Sequence, residues 1–281
     1  MLSKESYVLD EKDIVLEYPV MAVKDIEGML SFYRELLGME VMRQHENVYF
    51  LSCSGNSRPI IALEEVVEGS YPSSNEAGLY HYAILLPERK SLASTFLFLQ
   101  ERGIIFDGFA DHLVSEALYL HDPEGNGIEI YADRPREVWR WSREGTIAMS
   151  TLPLNIASLT MEAPNKPSPL SPEARIGHIH LRVTNLERSI SFYSGVLGLT
   201  FKARMHGAAF LSLGSYHHHF GLNTWETHGG IAKQRNTTGL KRVVISASKT
   251  YMDKLFGSMQ NDTIKLEDPD KIIININLKG F

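Results

Sequence analysis

"MAVKDIEGMLSFYRELLGMEV" (21–41) lines up with "LRVTNLERSISFYSGVLGLTF" (181–201) at an offset of 160. Each stretch has a strand ending in Val, an acidic or amide turn, an S-F-Y helix and an L-G stop. Gly38 and Gly198 follow the last apolar helix position, where a helix C-terminus favours glycine. An internal repeat sets architecture before any single residue does. At the same offset "YFLS" (49–52) meets "AFLS" (209–212). Further on, "GLYHYAILL" (78–86) meets "GLKRVVISA" (239–247). "DPEGNGIEIY" (122–131) then meets "DPDKIIININ" (268–277), but the offset has fallen to 146, so roughly fifteen residues are missing ahead of the second turn.

Each half divides again into strand, helix and three strands. "YPVMAV", "IEGMLSFYRELLG", "MEVMRQ", "VYFLS" and "PIIALEEV" form the first module. "LYHYAILLP", "KSLASTFLFLQERG", "IIFDGF", "EALYLHD" and "GIEIYAD" form the second. Modules three and four start near 176 and 240, and the fourth is truncated. Residues 1–150 therefore read as an N-terminal domain and 176–281 as a C-terminal one. Between them, 151–175 is rich in Pro and Ser, shows no sustained period, and reads as a linker. The expected class is α+β: four βαβββ modules in two tandem domains, forming cupped mixed sheets with outer helices. The cup of such a sheet is where a pocket forms.

With 281 residues there is enough chain for two cores. A net charge of −6 leaves no basic footprint for nucleic acid and no polybasic stretch for an anionic membrane. No apolar run approaches the ~20 residues of a membrane span. "MLSKESYVLDEKD" is polar and acidic, unlike a secretory leader, so a cytoplasmic location is expected. The single cysteine, Cys53, excludes an internal disulfide and reads as a small core residue at a strand end.

Three side chains stand out at equivalent strand positions. His81 interrupts the apolar run of the second module's first strand, and His178 sits in the third module's first strand, "IGHIHLRV". Glu129 lies in the second module's last strand, pointing opposite to Ile128 and Ile130. The corresponding positions elsewhere are Tyr18, Arg242 and Asn275, so modules one and four offer no such set. Two imidazoles and one carboxylate leave the opposite positions of an octahedral ion open. That suits Fe(II) binding a substrate and dioxygen together. Mn(II) suits the same donors, and Zn(II), Ni(II) and Co(II) stay open. Each residue also has a plainer alternative: a core histidine for His81 or His178, a solvated edge carboxylate for Glu129.

"GHIHLRVTNLERSISFYSGVLGL", "YHHHFGLNTW" and "DHLVSEALYLHDPEGNGIEIYADRP" resemble the vicinal-oxygen-chelate (glyoxalase/bleomycin-resistance/extradiol dioxygenase) superfamily. Within it the chain is most similar to short two-domain bacterial catechol 2,3-dioxygenases. The resemblance implies metal ligands at His81, His178 and Glu129, with modules two and three paired around the ion and modules one and four as scaffold. It also implies that His218 faces dioxygen and that His112 and Tyr119 act on the diol. His219 competes with His218, because one residue of slip exchanges them. These residues too have plainer alternatives in surface, loop-capping and core roles. The implied activity is Fe(II)-dependent extradiol cleavage of catechol or a substituted catechol, with an aromatic diol and dioxygen as partners. A glyoxalase-type metal enzyme and a non-catalytic aromatic- or drug-binding resistance protein are the alternatives on the same scaffold.

Tyr82, Phe106, Trp225 and Tyr131 are candidate pocket walls or core residues. "ADRPREVWRW" (132–141) runs over the pocket or straps the domains together. The apolar "IININLKGF" (273–281) is expected to be an exposed edge strand, a surface for a homo-oligomer.

Overall fold

The computed structural model describes residues 8–257 and 262–279. Module one comprises β1 (Ile14–Val23), α1 (Ile26–Ser31), β2 (Met39–His45), β3 (Val48–Cys53) and β4 (Ile61–Glu65). Module two comprises β5 (Gly78–Leu86), α2 (Arg89–Glu101), β6 (Gly108–Asp111), β7 (Ser115–His121) and β8 (Gly127–Asp133). Residues 151–175 carry the short β9 (Leu152–Pro153) and α3 (Ile156–Thr160). Module three is β10 (Arg175–Arg182), α4 (Leu186–Gly195), β11 (Thr200–Met205), β12 (Ala208–Ser212) and β13 (Phe220–Asn223). Module four is β14 (Gly239–Ala247), α5 (Lys249–Phe256), β15 (Thr263–Glu267) and β16 (Ile273–Leu278), one strand short among the described residues.

Local chemistry explains the repeat. The side chain of Asp25 accepts a hydrogen bond from the Gly28 N–H at the start of α1, and Asn185 accepts from the Arg188 N–H at the start of α4. Both stops adopt the left-handed backbone, Gly38 at φ 70° and Gly198 at φ 65°. The repeated tyrosine does the same work in each half. Tyr33 donates to Asp122 Oδ2 at 3.0 Å, and Tyr193 donates to Asp268 Oδ2 at 3.2 Å. Each aspartate opens a D-P turn and also accepts backbone N–H groups inside that turn. The helix of the leading module thus clamps the turn of the following one within each half.

The sheets combine the modules differently. One sheet runs β15-β16-β14-β1-β4-β3-β2 and joins modules one and four. The other runs β11-β12-β13-β10-β5-β8-β7-β6-β9 and joins modules two and three. In each, the two leading strands meet antiparallel at the centre, β1 with β14 and β5 with β10. Each sheet therefore takes one module from each half, and a single apolar core draws residues from all four.

Several sequence expectations need correction. The 273–278 stretch is not an edge: β16 lies between β14 and β15, and the ends of that sheet are β15 and β2. As in the other three modules, the last strand of the fourth lies directly beside its first, so among the described residues the shortened module leaves β15 as the sheet's end. Gly280 and Phe281 of that stretch, and Met1–Tyr7 of the acidic start, lie outside the described residues. Segment 132–141 straps rather than covers. Trp139 donates its indole N–H to the carbonyls of Val114 and Arg134 and packs against Tyr216, while Arg136 pairs with Glu11. Cys53 is buried, and burial pushes its thiol up to about 12, so it is a packing residue. No helix is long and apolar enough to cross a membrane among the described residues.

Candidate metal centre and its pocket

Register across the second sheet builds the site. Tyr119 on β7 lies opposite Glu129 on β8, Glu129 beside Ala83 on β5, and Ala83 opposite His178 on β10. These four positions form a line across four strands on one face. Ala83 is the small member, and its methyl leaves the carboxylate and imidazole room to approach over it. His81, two residues before Ala83, shares that face because strand side chains alternate. The opposite face carries Tyr82, Ile84, Ile128 and Ile130, all fully buried in the main core.

The three donors converge. One ligand atom from each of His81, Glu129 and His178 lies within 4.8 Å of the others, and all three residues are buried. His178 Nε2 is 3.1 Å from Glu129 Oε2 and hydrogen-bonded to it. His81 Nε2 approaches the same oxygen to 2.9 Å without forming a hydrogen bond, and His178 Nδ1 also has no partner. Unmet buried donors or acceptors cost roughly 1–3 kcal/mol each. The unpartnered His81 Nε2 beside the His178–Glu129 pair leaves a donor set that could hold a cation.

Protonation agrees. Burial lowers the pKa of both His81 and His178, with Glu129 opposing. Burial also works to raise Glu129, but the two imidazoles outweigh it and hold its carboxyl well below the ordinary range. Neutral imidazoles beside a carboxylate are the forms that ligate a divalent ion.

The donors open into a cavity of about 470 Å³. His112, Tyr119 and His218 line it, and His219 does not. His219 turns into the protein, where its Nδ1 accepts from the Leu213 N–H at 3.3 Å and contacts Ser212 Oγ at 2.7 Å. His218 packs on His178 with ring centroids 4.1 Å apart. His112 Nδ1 lies 2.7 Å from the Ser150 carbonyl, which only accepts, so that nitrogen carries the proton. Its Nε2 then accepts from the Tyr119 hydroxyl at 2.6 Å. Burial raises the Tyr119 phenol well above its ordinary pKa, and Glu129 adds to the effect. The hydroxyl is therefore protonated at neutral pH and donates to His112.

Among the aromatic candidates only Trp225 reaches the cavity. Tyr82 bonds to Tyr33 on the core face, and Phe106 packs against Phe96 and Phe109. Tyr131 backs the ring of His178 at 4.9 Å and bonds to Tyr216. Tyr80 and His180 are lining residues that sequence reasoning missed. His180 follows His178 by two positions and lies opposite His81 in register, so strand alternation was the signal that locates it. Its ring occupies the space above Gly221, where an added Cβ would stand 2.8 Å from the imidazole. Asn223 Nδ2 lies 3.1 Å from His180 Nε2.

Comparison with known proteins agrees with this architecture. The glyoxalase/bleomycin resistance protein/dioxygenase superfamily matches residues 15–130 and 175–274. The chain is 40% identical over 232 residues to the catechol-2,3-dioxygenase of Bacillus subtilis (strain 168), covering 82% of this chain and 81% of that one. It is 28% identical over 120 residues to biphenyl-2,3-diol 1,2-dioxygenase 3 of Rhodococcus globerulus, covering 42% of this chain and 63% of the relative. Glyoxalase I from Zea mays shares the fold at 17% identity and a TM-score of 0.53, with 94% of this chain and 92% of that chain covered. Four related modules, sheets that pair them two by two, and a family match across most of the length lead to one conclusion: the chain belongs to the glyoxalase/bleomycin resistance/dioxygenase superfamily.

Proposed function

We propose that this protein is an Fe(II)-dependent extradiol dioxygenase acting on catechol or a substituted catechol, with the ion held by His81, His178 and Glu129. The observation that carries the reading is the convergence of those donors beside His218 and the His112–Tyr119 pair in one cavity. Similarity to the Bacillus subtilis enzyme supports the same chemistry. A divalent ion held by His81, Glu129 and His178 would supply Lewis acidity that eases loss of a proton from the diol. In the overall reaction one ring carbon–carbon bond beside the diol breaks and both oxygen atoms enter the product, so no external reductant is consumed.

The chain's own groups handle protons and position. With its O–H donated to His112, Tyr119 presents oxygen lone pairs that accept from a diol hydroxyl. A proton arriving at Tyr119 has a path to His112 Nε2, while the Ser150 carbonyl holds the far side of the ring. His218 lines the cavity beside a metal-holding imidazole and is the candidate for stabilising charge on the oxygen side. Tyr80 and Trp225, in edge contact at 5.2 Å, form an aromatic wall for the ring substrate. The same reading puts the protein in the cytoplasm, where a lone thiol and ferrous iron stay reduced.

The test is anaerobic Fe(II) loading followed by catechol and air. A yellow ring-opened product is expected. Tight catechol binding without turnover, after iron content has been verified, would replace this reading with that of a binding protein.

A further inference from the structure

Behind His218 lies a chain of polar contacts that the proposed chemistry does not yet use. Asp133 Oδ1 is 2.9 Å from His217 Nε2, and His217 Nδ1 is 2.6 Å from His218 Nδ1. His217 is fully buried. Its ring is packed by Tyr216 at 4.1 Å and Trp139 at 5.3 Å, so it has one orientation. Tyr216 also donates to Asp133 Oδ1, at 3.3 Å.

Hydrogen-bond direction propagates along this chain. A carboxylate only accepts, so His217 donates through Nε2–H. A neutral imidazole with Nε2 protonated has a bare Nδ1, which accepts. His218 must then donate from Nδ1, and its Nε2 is left with the lone pair. We propose that Asp133 and His217 are positioning residues that hold His218 as the Nδ1–H tautomer, so that an accepting Nε2 is what His218 offers to the cavity it lines. The consequence builds on the reading of His218 given above: the residue does not begin as a donor, and it stabilises charge on the oxygen side only after its Nε2 has received a proton from the reacting partners. Consecutive histidines thus divide the labour, His217 setting the tautomer and His218 meeting the ligand.

Two measurements test this. In protein carrying ¹⁵N-histidine and loaded with diamagnetic Zn(II), the His218 resonances, identified by their loss in His218→Asn, should report a protonated Nδ1 and a bare Nε2. Asp133→Leu and His217→Phe should each shift that pattern toward Nε2–H. A wild-type His218 protonated at Nε2 overturns the proposal. In the Fe(II)-loaded enzyme, His217→Phe should lower kcat by about 10- to 100-fold, with KM for catechol and iron content within about twofold of wild type. His217→Asn, whose Oδ1 can accept where the ring Nδ1 did, should recover most of the loss. The double variant His217→Phe/His218→Phe should be no slower than His218→Phe. Equal losses in the Phe and Asn variants, or additive losses in the double variant, would reduce His217 to packing. If His218→Phe keeps full kcat, the earlier reading of His218 fails, while the resonances still decide the tautomer.

Discussion

The two sheets share one plan and differ in what stands on their inner faces. In the second sheet the line Glu129–Ala83–His178 crosses β8, β5 and β10. In the first, the matching line Asn275–Val244–Tyr18 crosses β16, β14 and β1. Glu129 has become an amide, the small Ala83 a branched valine, and His178 a phenol. The counterpart of His81 is Arg242, which sits 3.6 Å from Glu64, a residue that also pairs with Lys241. Val20, Ala62 and Val244 fill the remaining space as a small apolar cluster. The backbone supplies two cups, and side-chain identity at about four positions decides which one holds donors. The truncated module lies in the cup without them, where one fewer strand costs the donor set nothing.

That contrast can be broken deliberately. The largest effect is expected from Glu129→Ala, which removes the only anionic donor: iron retention and ring cleavage should both fall to background. Asn275→Ala should leave both intact, with metal content read by elemental analysis. Next comes Tyr119→Phe, which deletes the hydroxyl shared with His112; kcat should drop by about 10- to 100-fold with iron content preserved. Smaller again is Ala83→Val, which grafts the valine of the silent sheet into the donor line. Overpacking of this kind costs roughly 1–3 kcal/mol, and spreading Glu129 from His178 should weaken metal affinity by about tenfold in a chelator competition.

The smallest effect on activity is expected at the D-P turn of Asp268, away from the donors, where the readout is stability. Burial raises Asp268 to about 6, against an ordinary value of 3.8. A carboxyl with a raised folded pKa favours the native state while it is protonated, and that contribution is lost as pH rises from 3.8 through 6. Urea titrations should show the stability of wild type, relative to Asp268→Asn, falling between about pH 4 and 7 by no more than about 3 kcal/mol. A difference that grows with pH would contradict the burial argument.

Much of this was legible in one dimension. The offset of 160 marked the modules, and Gly38 and Gly198 marked the helix ends because only a residue without Cβ adopts that backbone freely. His81, Glu129 and His178 stood out as polar interruptions of apolar strands. His180 was equally readable by alternation, two residues beyond His178. Other features had no local signal. The β16 stretch reads as an edge because apolarity does not say which strand lies alongside. Whether a triplet histidine meets solvent, core or cavity depends on the partner its ring finds, and Asp133 is 84 residues from His217.

Sequence by itself determined the repeat, the strand and helix periods, the missing strand and the side chains able to hold a metal. Those properties are written in spacing and residue chemistry, and each is set within a short window. The pairing of modules across the halves, which the family resemblance implied, is what the two sheets show, and only the tertiary structure decided that Ala83 opens the gap between Glu129 and His178 and that His218 rather than His219 meets the cavity. These follow from strand register and from contacts between residues far apart in the chain, where a shift of one position exchanges the two faces of a strand.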